Sequence, residues 1–148
     1  MSVSKATFLD LKQLSSIGSD VVDNLLPYLS RDESRVQSLL QSYVSDSNAM
    51  ILVSKQDGII KGGAVAITSD IHYAKKKNTQ IIGLYTTVTG DGMEMLSQIE
   101  TWFLSRANSL LMCYASPADS RLDKLLELKF KFNREGTMPV RSKSKGTD

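Results

Sequence analysis

The chain has 148 residues, of which 41% are hydrophobic and 23% are charged, so it is long enough for one globular domain to bury a core without metals or disulfides. Its net charge of +2 is too small to indicate a nucleic-acid partner. The single Cys113 excludes an internal disulfide and, together with the single His72, cannot supply the ligands of a zinc site.

The first third of the sequence predicts a short extended segment followed by two helices. The extended segment covers Thr7 to Leu11. Apolar residues on one helical face indicate a first helix over residues 21–29, and Pro27 favours an end or a kink there. The run Ser30–Glu33 has the S-x-x-E form of a capping box. It predicts a second helix, whose apolar stripe consists of Val36, Leu39, Leu40, Tyr43 and Val44.

A β-hairpin is predicted next. Residues 50–53 and 59–67 are rich in aliphatic side chains, and the Asp57-Gly58 pair between them favours the positive φ angles of a tight turn. Gly62-Gly63 within the second strand indicates a bulge or the close approach of another backbone. Flexible linkage is the alternative for these two glycines.

The middle of the chain has the pattern of a strand–helix–strand crossover. Gln80 to Val88 is rich in β-branched and aromatic residues and predicts a central strand. The turn Gly90-Asp91-Gly92 precedes an amphipathic helix, and Leu110 to Ala115 predicts the following strand. The apolar stripe of that helix consists of Met95, Leu96, Ile99, Trp102 and Phe103.

The C-terminal part predicts one more helix and two strands. Ser116-Pro117 supplies an N-cap residue and a proline at the first helical position. Residues 130–132 and 138–140 predict terminal strands. The polar segment 142–148 is expected to be disordered, so the sequence predicts one domain over residues 1–141.

The location of the protein is predicted from two absences in the sequence. No apolar run approaches the roughly 18 to 20 residues that span a bilayer. The polar start Met1 to Lys5 lacks the apolar stretch of a secretory signal. We therefore expect a cytoplasmic protein without a membrane partner.

The turn Gly90-Asp91-Gly92 is the strongest candidate for a binding site. A glycine-bearing turn between a strand and a helix leaves backbone N–H groups free at the positive end of the helix dipole, which suits a phosphate or pyrophosphate. The glycines let the main chain approach a ligand closely, and the hydroxyls of Thr87 and Thr89 are near in sequence. A plain connection between a strand and a helix is the alternative.

The segment from Gln80 to Glu135 resembles the cofactor half of the GCN5-related N-acetyltransferases, the GNAT superfamily. Val88 to Leu96 occupies the place of that family's pyrophosphate loop, and Leu125 to Phe130 resembles its segment ending in Gly-Phe. The resemblance implies a single-domain α/β fold. Its mixed central sheet would be flanked by helices, with an N-terminal helix pair, a β-hairpin and a βαβ cofactor half.

The resemblance also implies an acetyl-CoA-dependent N-acetyltransferase. Acetyl-CoA would be the co-substrate, and the acceptor would be an amine of a small molecule or a protein that attacks the thioester directly. Backbone N–H groups near Leu84 to Thr86 would polarise the carbonyl. The cofactor-binding residues implied are Leu84, Tyr85, Thr86, Thr87, Val88, Thr89, Gly90, Asp91, Gly92 and Met93.

The general acid is the least defined part of this expectation. Leu125 stands where many members of the family place a tyrosine that protonates the departing thiolate. Tyr114 and Tyr85 are the candidate catalytic substitutes, and a buried core position is the alternative for each. Cys113 is a further option on the same strand as Tyr114.

The general base is also open. Glu94, Asp91 or Asp70 qualifies only if the fold brings it to the amine. The single histidine, His72, is assigned to a solvated loop rather than to a catalytic role. The neighbouring run Lys75–Lys77 forms a solvated face or contacts the 3′-phosphate of CoA.

Several departures from the family pattern support a second hypothesis. Thr89 stands where arginine or glutamine is common, Glu94 replaces a frequent glycine, and Lys129 replaces the glycine of Gly-Phe. A carboxylate close to the phosphates repels them unless it points away. The alternative function is a catalytically inactive binding or assembly module of the same fold, and a homodimer is a possible assembly for either hypothesis.

Overall fold

The computed structural model describes residues 2–16, 33–70, 77–105, 109–114, 124, 126, 129–130, 133–134 and 140–144. Several sequence predictions lie outside these residues. They are the helix over residues 21–29, the cap residues Ser30 to Asp32, His72, Lys75, Lys76, the helix start Ser116-Pro117, Leu125 and the end of the tail at residues 145–148.

Seven strands form one mixed sheet. The spatial order is β1-β2-β3-β4-β5-β7-β6, in which β4 and β5 are parallel and every other neighbouring pair is antiparallel. The parallel pair flanks a helix in sequence, so the predicted crossover is confirmed. The strands are β1 (Val3–Lys5), β2 (Ala49–Gln56), β3 (Ile59–Asp70), β4 (Lys77–Thr86), β5 (Ser109–Tyr114), β6 (Asn133–Arg134) and β7 (Val140–Ser144).

Two α-helices have described bounds, α1 (Glu33–Val44) and α2 (Asp91–Leu104). Both confirm helices predicted from apolar stripes. The extended opening predicted at Thr7 to Leu11 is wrong, because a 3-10 helix (Phe8–Asp10) begins there and residues 11–16 continue as α-helix. The Asp10 side chain accepts a hydrogen bond from the Thr7 N–H at 2.9 Å, and this contact at the first turn favours helix over strand.

The hairpin of β2 and β3 turns at Asp57-Gly58, as predicted. Asp57 has φ 54° and Gly58 has φ 78°, the conformation that this residue pair accepts at little cost. Further along β3, a Cβ at Gly62 would collide with the carbonyl oxygen of Tyr85 and lie 2.7 Å from the Cβ of Thr86. The predicted close approach of another backbone is therefore confirmed, and that backbone belongs to strand β4.

The core on one face of the sheet lies under helix α2. The apolar stripe of α2 includes Met95, Leu96, Ile99 and Phe103, which are at most 2% exposed. They pack with the small side chains of Ala64 and Ala66 on strand β3. Small residues at this position bring the helix close to the sheet, so burial of a few large side chains stabilises both layers. The other buried members of the cluster are Val3, Leu52, Ile81, Leu111, Leu126 and Phe130.

The opposite face of the sheet is covered by α1 and by residues 11–16. Leu40 of α1 packs with Leu11, Leu14 and the β2 residue Val53. A Cβ at Gly63 would collide with the Leu14 side chain, so this glycine lets the N-terminal segment lie against β3. The result is a sheet with helices on both faces, which confirms the predicted α/β class.

The C-terminal strands differ in extent from the prediction. Strand β7 continues to Ser144 and pairs with β5 from Leu110 to Tyr114, so residues 142–144 belong to the sheet and not to a disordered tail. The sequence does not indicate a strand here, because strands are predicted from alternating apolar and polar residues and this segment is polar throughout. The preceding strand is the two-residue β6, which pairs with β7 through Asn133 and Arg134.

Candidate functional site

The parallel strands β4 and β5 pair along only part of β4. Their pairing runs from Lys77 opposite Ser109 to Ile81 opposite Cys113. Beyond that point β4 continues to Thr86 against β3 alone, within the residues that the structure describes. Backbone groups of alternate strand residues point to the same edge. Among the described residues, no strand pairs with this edge of β4 beyond Ile81, so the N–H and C=O groups of Leu84 and Thr86 face an unpaired side, whereas the carbonyl oxygen of Tyr85 faces β3.

A β-bulge marks the point where the pairing ends. Val65 of β3 pairs with Gly83, and the next residue, Ala66, pairs with Ile81, so Ile82 is the extra residue of β4. A bulge bends its strand and increases the local twist. The bulge thus coincides with the divergence of β4 from β5, and the open edge begins at it.

The two faces of the β4 end are different. Leu84 packs against the core under α2, whereas Tyr85 is 43% exposed. Successive side chains of a strand point to opposite faces, so Tyr85 lies on the face of the sheet away from α2. Of the two candidate tyrosines, Tyr85 is thus solvent-accessible beside the open edge, and for Tyr114 the structure describes the backbone, which pairs with Val140 of β7.

The loop from Thr87 to Gly90 joins the end of β4 to helix α2. The Asp91 N–H donates to the carbonyl oxygen of Val88 at 3.2 Å, and Thr87 N–H donates to Lys61 of β3 at the same distance. Gly90, the N-cap residue, has φ 89°, a left-handed conformation that favours glycine. Gly90 is therefore required by the turn itself.

Gly92 has a different role from Gly90. Its φ is not left-handed, and a Cβ there would meet only the Cγ2 of Thr86 at 3.7 Å, an ordinary contact. The turn does not require glycine at this position. The N–H groups of the first turn of a helix lack acceptors within the helix. Because Gly92 has no side chain, a ligand can approach these N–H groups.

The side chain of Asp91 points into the protein and not toward the open side of the loop. It is 7% exposed, and its two oxygens accept hydrogen bonds from Ser2 Oγ at 2.6 Å and from Ser54 Oγ at 2.5 Å. Ser54 Oγ also lies 2.9 Å from Thr86 Oγ1. With both oxygens engaged inside the protein, Asp91 is not placed to act as a general base.

Ser2 and Ser54 were not found by sequence reasoning. They lie 89 and 37 residues from Asp91, and a lone serine carries no motif. In the sequence, Ser54 stands out only as a polar residue after the apolar run of β2. A polar residue at such a place does not by itself indicate a contact with Asp91.

The second acidic residue of the loop region, Glu94, points along the helix. Its Oε1 accepts a hydrogen bond from Gln98 Nε2 at 3.0 Å, one turn further on, and its side chain borders a surface groove of about 430 Å³ with Met50 and Trp102. The carboxylate is thereby turned away from the first N–H groups. The third candidate base, Asp70, is the last residue of β3, and the structure describes the position of its backbone.

Metal sites and membrane spans are both lacking among the residues that the structure describes. No group of three or more histidine, cysteine, aspartate or glutamate side chains in this part of the chain has the geometry of a metal site. No helix among the same residues is long and apolar enough to cross a membrane.

Comparison with known proteins identifies the fold. The sequence matches no family model and no curated protein. A ribosomal-protein-alanine N-acetyltransferase from Brucella melitensis aligns with a TM-score of 0.74 at 17% identity, over 97% of this chain and 99% of that chain. A predicted acetyltransferase with acetyl-CoA from Clostridium acetobutylicum gives 0.72 at 16% identity, over 91% of each chain.

An aminoglycoside acetyltransferase in complex with sisomicin, from an uncultured soil metagenomic sample, gives a TM-score of 0.64 at 16% identity over 90% of each chain. Together these similarities define a class: the chain has an acetyltransferase fold. More narrowly, it has the GNAT fold in a divergent form, as its sequence resemblance predicted.

Proposed function

We propose that this protein is an acetyl-CoA-dependent N-acetyltransferase. The observation that carries the proposal is the open edge of β4, which begins at the Ile82 bulge and leads through the loop into the first turn of α2. This arrangement offers a single extended ligand two kinds of contact, first along the strand edge and then at the start of the helix. Strand-edge amides and carbonyls suit an extended chain with peptide groups, and a helix N-terminus suits a pyrophosphate.

Acetyl-CoA has both of these parts in the matching order. Its pantetheine arm carries two amide groups and would pair with the β4 edge between Leu84 and Thr86. Its pyrophosphate would accept hydrogen bonds from the N–H groups of Gly92 and Met93 at the positive end of the α2 dipole. The inward orientation of Asp91 and the contact of Glu94 with Gln98 support this placement, because both carboxylates are turned away from the phosphates.

The reaction would be direct transfer of the acetyl group. The nitrogen of an uncharged amine attacks the thioester carbonyl carbon, the C–S bond breaks, and the amine loses a proton while the CoA thiolate gains one. The β4 backbone N–H of Leu84 or Thr86 would stabilise the developing oxyanion. Tyr85, exposed beside the edge, is a candidate to protonate the thiolate.

The acceptor is proposed only as a class, an amine of a small molecule or of a protein. A cytoplasmic location and a homodimer stay predictions of the sequence. The inactive module of the same fold is distinguished from the enzyme by turnover, that is, by release of CoA in the presence of an acceptor amine.

The binding site is tested by calorimetric titration of acetyl-CoA into a matched pair of variants. Gly92→Glu places a carboxylate at the proposed phosphate site without backbone strain. Thr101→Glu adds the same charge at an exposed position of the same helix. We expect wild type and Thr101→Glu to bind with Kd in the micromolar range, about −8 kcal/mol, and Gly92→Glu to lose at least about 100-fold in affinity through charge repulsion.

Circular dichroism and thermal unfolding provide the control for folding of both variants. Equal affinity of the two glutamate variants would show that the first turn of α2 is not the phosphate site. Absence of wild-type binding at millimolar acetyl-CoA would contradict the proposed function.

A further inference from the structure

The buried hydroxyl group of Ser54 contacts the residue directly before and the residue directly after the candidate cofactor loop. Ser54 lies on β2 with 0% exposure, between Val3 of β1 and Gly62 of β3 in the sheet register. Its Oγ donates to Asp91 Oδ2 at 2.5 Å and lies 2.9 Å from Thr86 Oγ1. One side chain thus contacts two other polar side chains that are far from it in sequence.

These two partners delimit the loop. Thr86 is the last residue of β4 and Asp91 is the first residue of α2, so the loop Thr87–Gly90 runs between them. Thr86 Oγ1 also accepts a hydrogen bond from Val88 N–H at 3.1 Å, inside the loop. The hydroxyl of Ser54 therefore fixes where β4 ends and where α2 begins relative to strand β2.

We propose that Ser54 is a positioning residue for acetyl-CoA, acting through Asp91 and Thr86. The proposal rests on the proposed function, since it concerns the same loop. The N–H groups of the first turn bind a pyrophosphate well only if they are held in place before the ligand arrives. Ser54 supplies this constraint from beneath the loop, where it does not contact the ligand.

The hydrogen bond from Ser54 to Asp91 joins a hydroxyl to a carboxylate, and such hydrogen bonds are strong. Hydrogen bonds from a hydroxyl to an ionised carboxylate are short, about 2.5 to 2.7 Å, and roughly twice as strong as neutral ones. Removal of the Ser54 hydroxyl leaves one oxygen of a buried carboxylate short of a donor, and the carboxylate then relaxes toward water. Because Asp91 begins α2, this relaxation would move the first-turn N–H groups with it.

The test compares Ser54→Ala with Thr68→Val, a control that removes a buried hydroxyl elsewhere in the sheet. Thr68 Oγ1 lies 3.0 Å from Thr79 Oγ1 across β3 and β4, so its loss also leaves a buried hydroxyl without its partner. Both variants should unfold at a lower temperature than wild type. Ser54→Cys, which keeps the volume with a weaker donor, is the second variant if Ser54→Ala fails to fold.

Two measurements are made on each variant. Acetyl-CoA Kd should rise about tenfold in Ser54→Ala, equivalent to about 1.4 kcal/mol, and stay within twofold of wild type in Thr68→Val. Amide hydrogen exchange without ligand should accelerate at Val88 to Met93 in Ser54→Ala but not in Thr68→Val.

Wild-type affinity and unchanged loop exchange in Ser54→Ala would overturn the positioning role. A wild-type protein that does not bind acetyl-CoA would overturn the proposed function, and the exchange comparison would still decide whether Ser54 holds the loop.

Discussion

Two buried carboxylates, Asp10 and Asp91, lie on opposite faces of the sheet and are bound by neighbouring residues of β2. Lys55 Nζ lies 3.0 Å from Asp10 Oδ1, and Ser54 Oγ lies 2.5 Å from Asp91 Oδ2. Their exposures are nearly equal, 8% and 7%. What differs is the partner, because a cation balances the charge of Asp10, whereas hydroxyl groups bind Asp91.

The difference separates a stabilising contact from a positioning contact. Asp10 accepts from Thr7 N–H and from Thr7 Oγ1, so its partners close a helical turn and join it to the sheet. Asp91 joins the N-terminal segment, β2 and the cofactor loop through Ser2 and Ser54. We therefore expect changes at Asp10 to affect the free energy of unfolding alone, and changes around Asp91 to affect the loop.

The largest effect on stability is expected for Asp10→Ala. The change leaves the Thr7 N–H without its acceptor and Lys55 without its ion-pair partner, and we expect a loss of about 2 kcal/mol in the free energy of unfolding. Urea denaturation measures this loss. Acetyl-CoA affinity should not change, and a parallel loss of affinity would contradict the separation of the two carboxylates.

A smaller effect is expected for Gly90→Ala, compared with Gly92→Ala. Alanine at φ 89° is strained, so Gly90→Ala should lose about 1 kcal/mol of stability. Gly92→Ala, at a position with room for a Cβ, should leave stability unchanged or raise it by about 0.5 kcal/mol. Urea denaturation of both variants measures the difference, and equal losses would refute the distinct roles of the two glycines.

The smallest effect concerns pH. Burial alone would raise the pKa of Asp10, but the Thr7 N–H hydrogen bond, Lys55 and the Thr7 hydroxyl outweigh it, so the pKa is lowered. Asp10 thus contributes stability that is present above its unfolded pKa of about 3.9 and is lost as pH falls through the lower folded pKa.

The measurement is the free energy of unfolding between pH 6 and pH 2 for wild type and Asp10→Asn. The wild-type advantage over the variant should be constant above about pH 5 and decrease below about pH 4. A difference that is independent of pH down to the lowest value would contradict the assigned cause.

Much of the fold was predictable because its signals are local. The Asp57-Gly58 turn, the apolar stripe of α2 and the strand–turn–helix order around Gly90 each depend on residues close in sequence, and the structure has all three. The errors came from tertiary context. Polar residues 142–144 form a strand because β5 is available as a partner, and the first turn at Thr7 to Asp10 overrides the extended pattern.

The candidate site was predictable only in part. The loop was found from its glycines, but the open edge of β4 depends on the bulge at Ile82 and on where β5 stops pairing. The sequence also could not distinguish Asp91 from Glu94, since their roles follow from contacts with Ser54 and Gln98. The Ser54 contact spans 37 residues, which no local pattern reports.

Amide hydrogen exchange of the wild-type protein with and without acetyl-CoA tests the central claim most directly. We predict that acetyl-CoA slows exchange at Gly92 and Met93 and at Leu84 and Thr86 of β4, because these amides become donors to the ligand. Residues 11–16 on the other face of the sheet should be unaffected. Protection confined to other regions, or none at millimolar acetyl-CoA, would contradict the claim that the open edge of β4 and the first turn of α2 form the cofactor site.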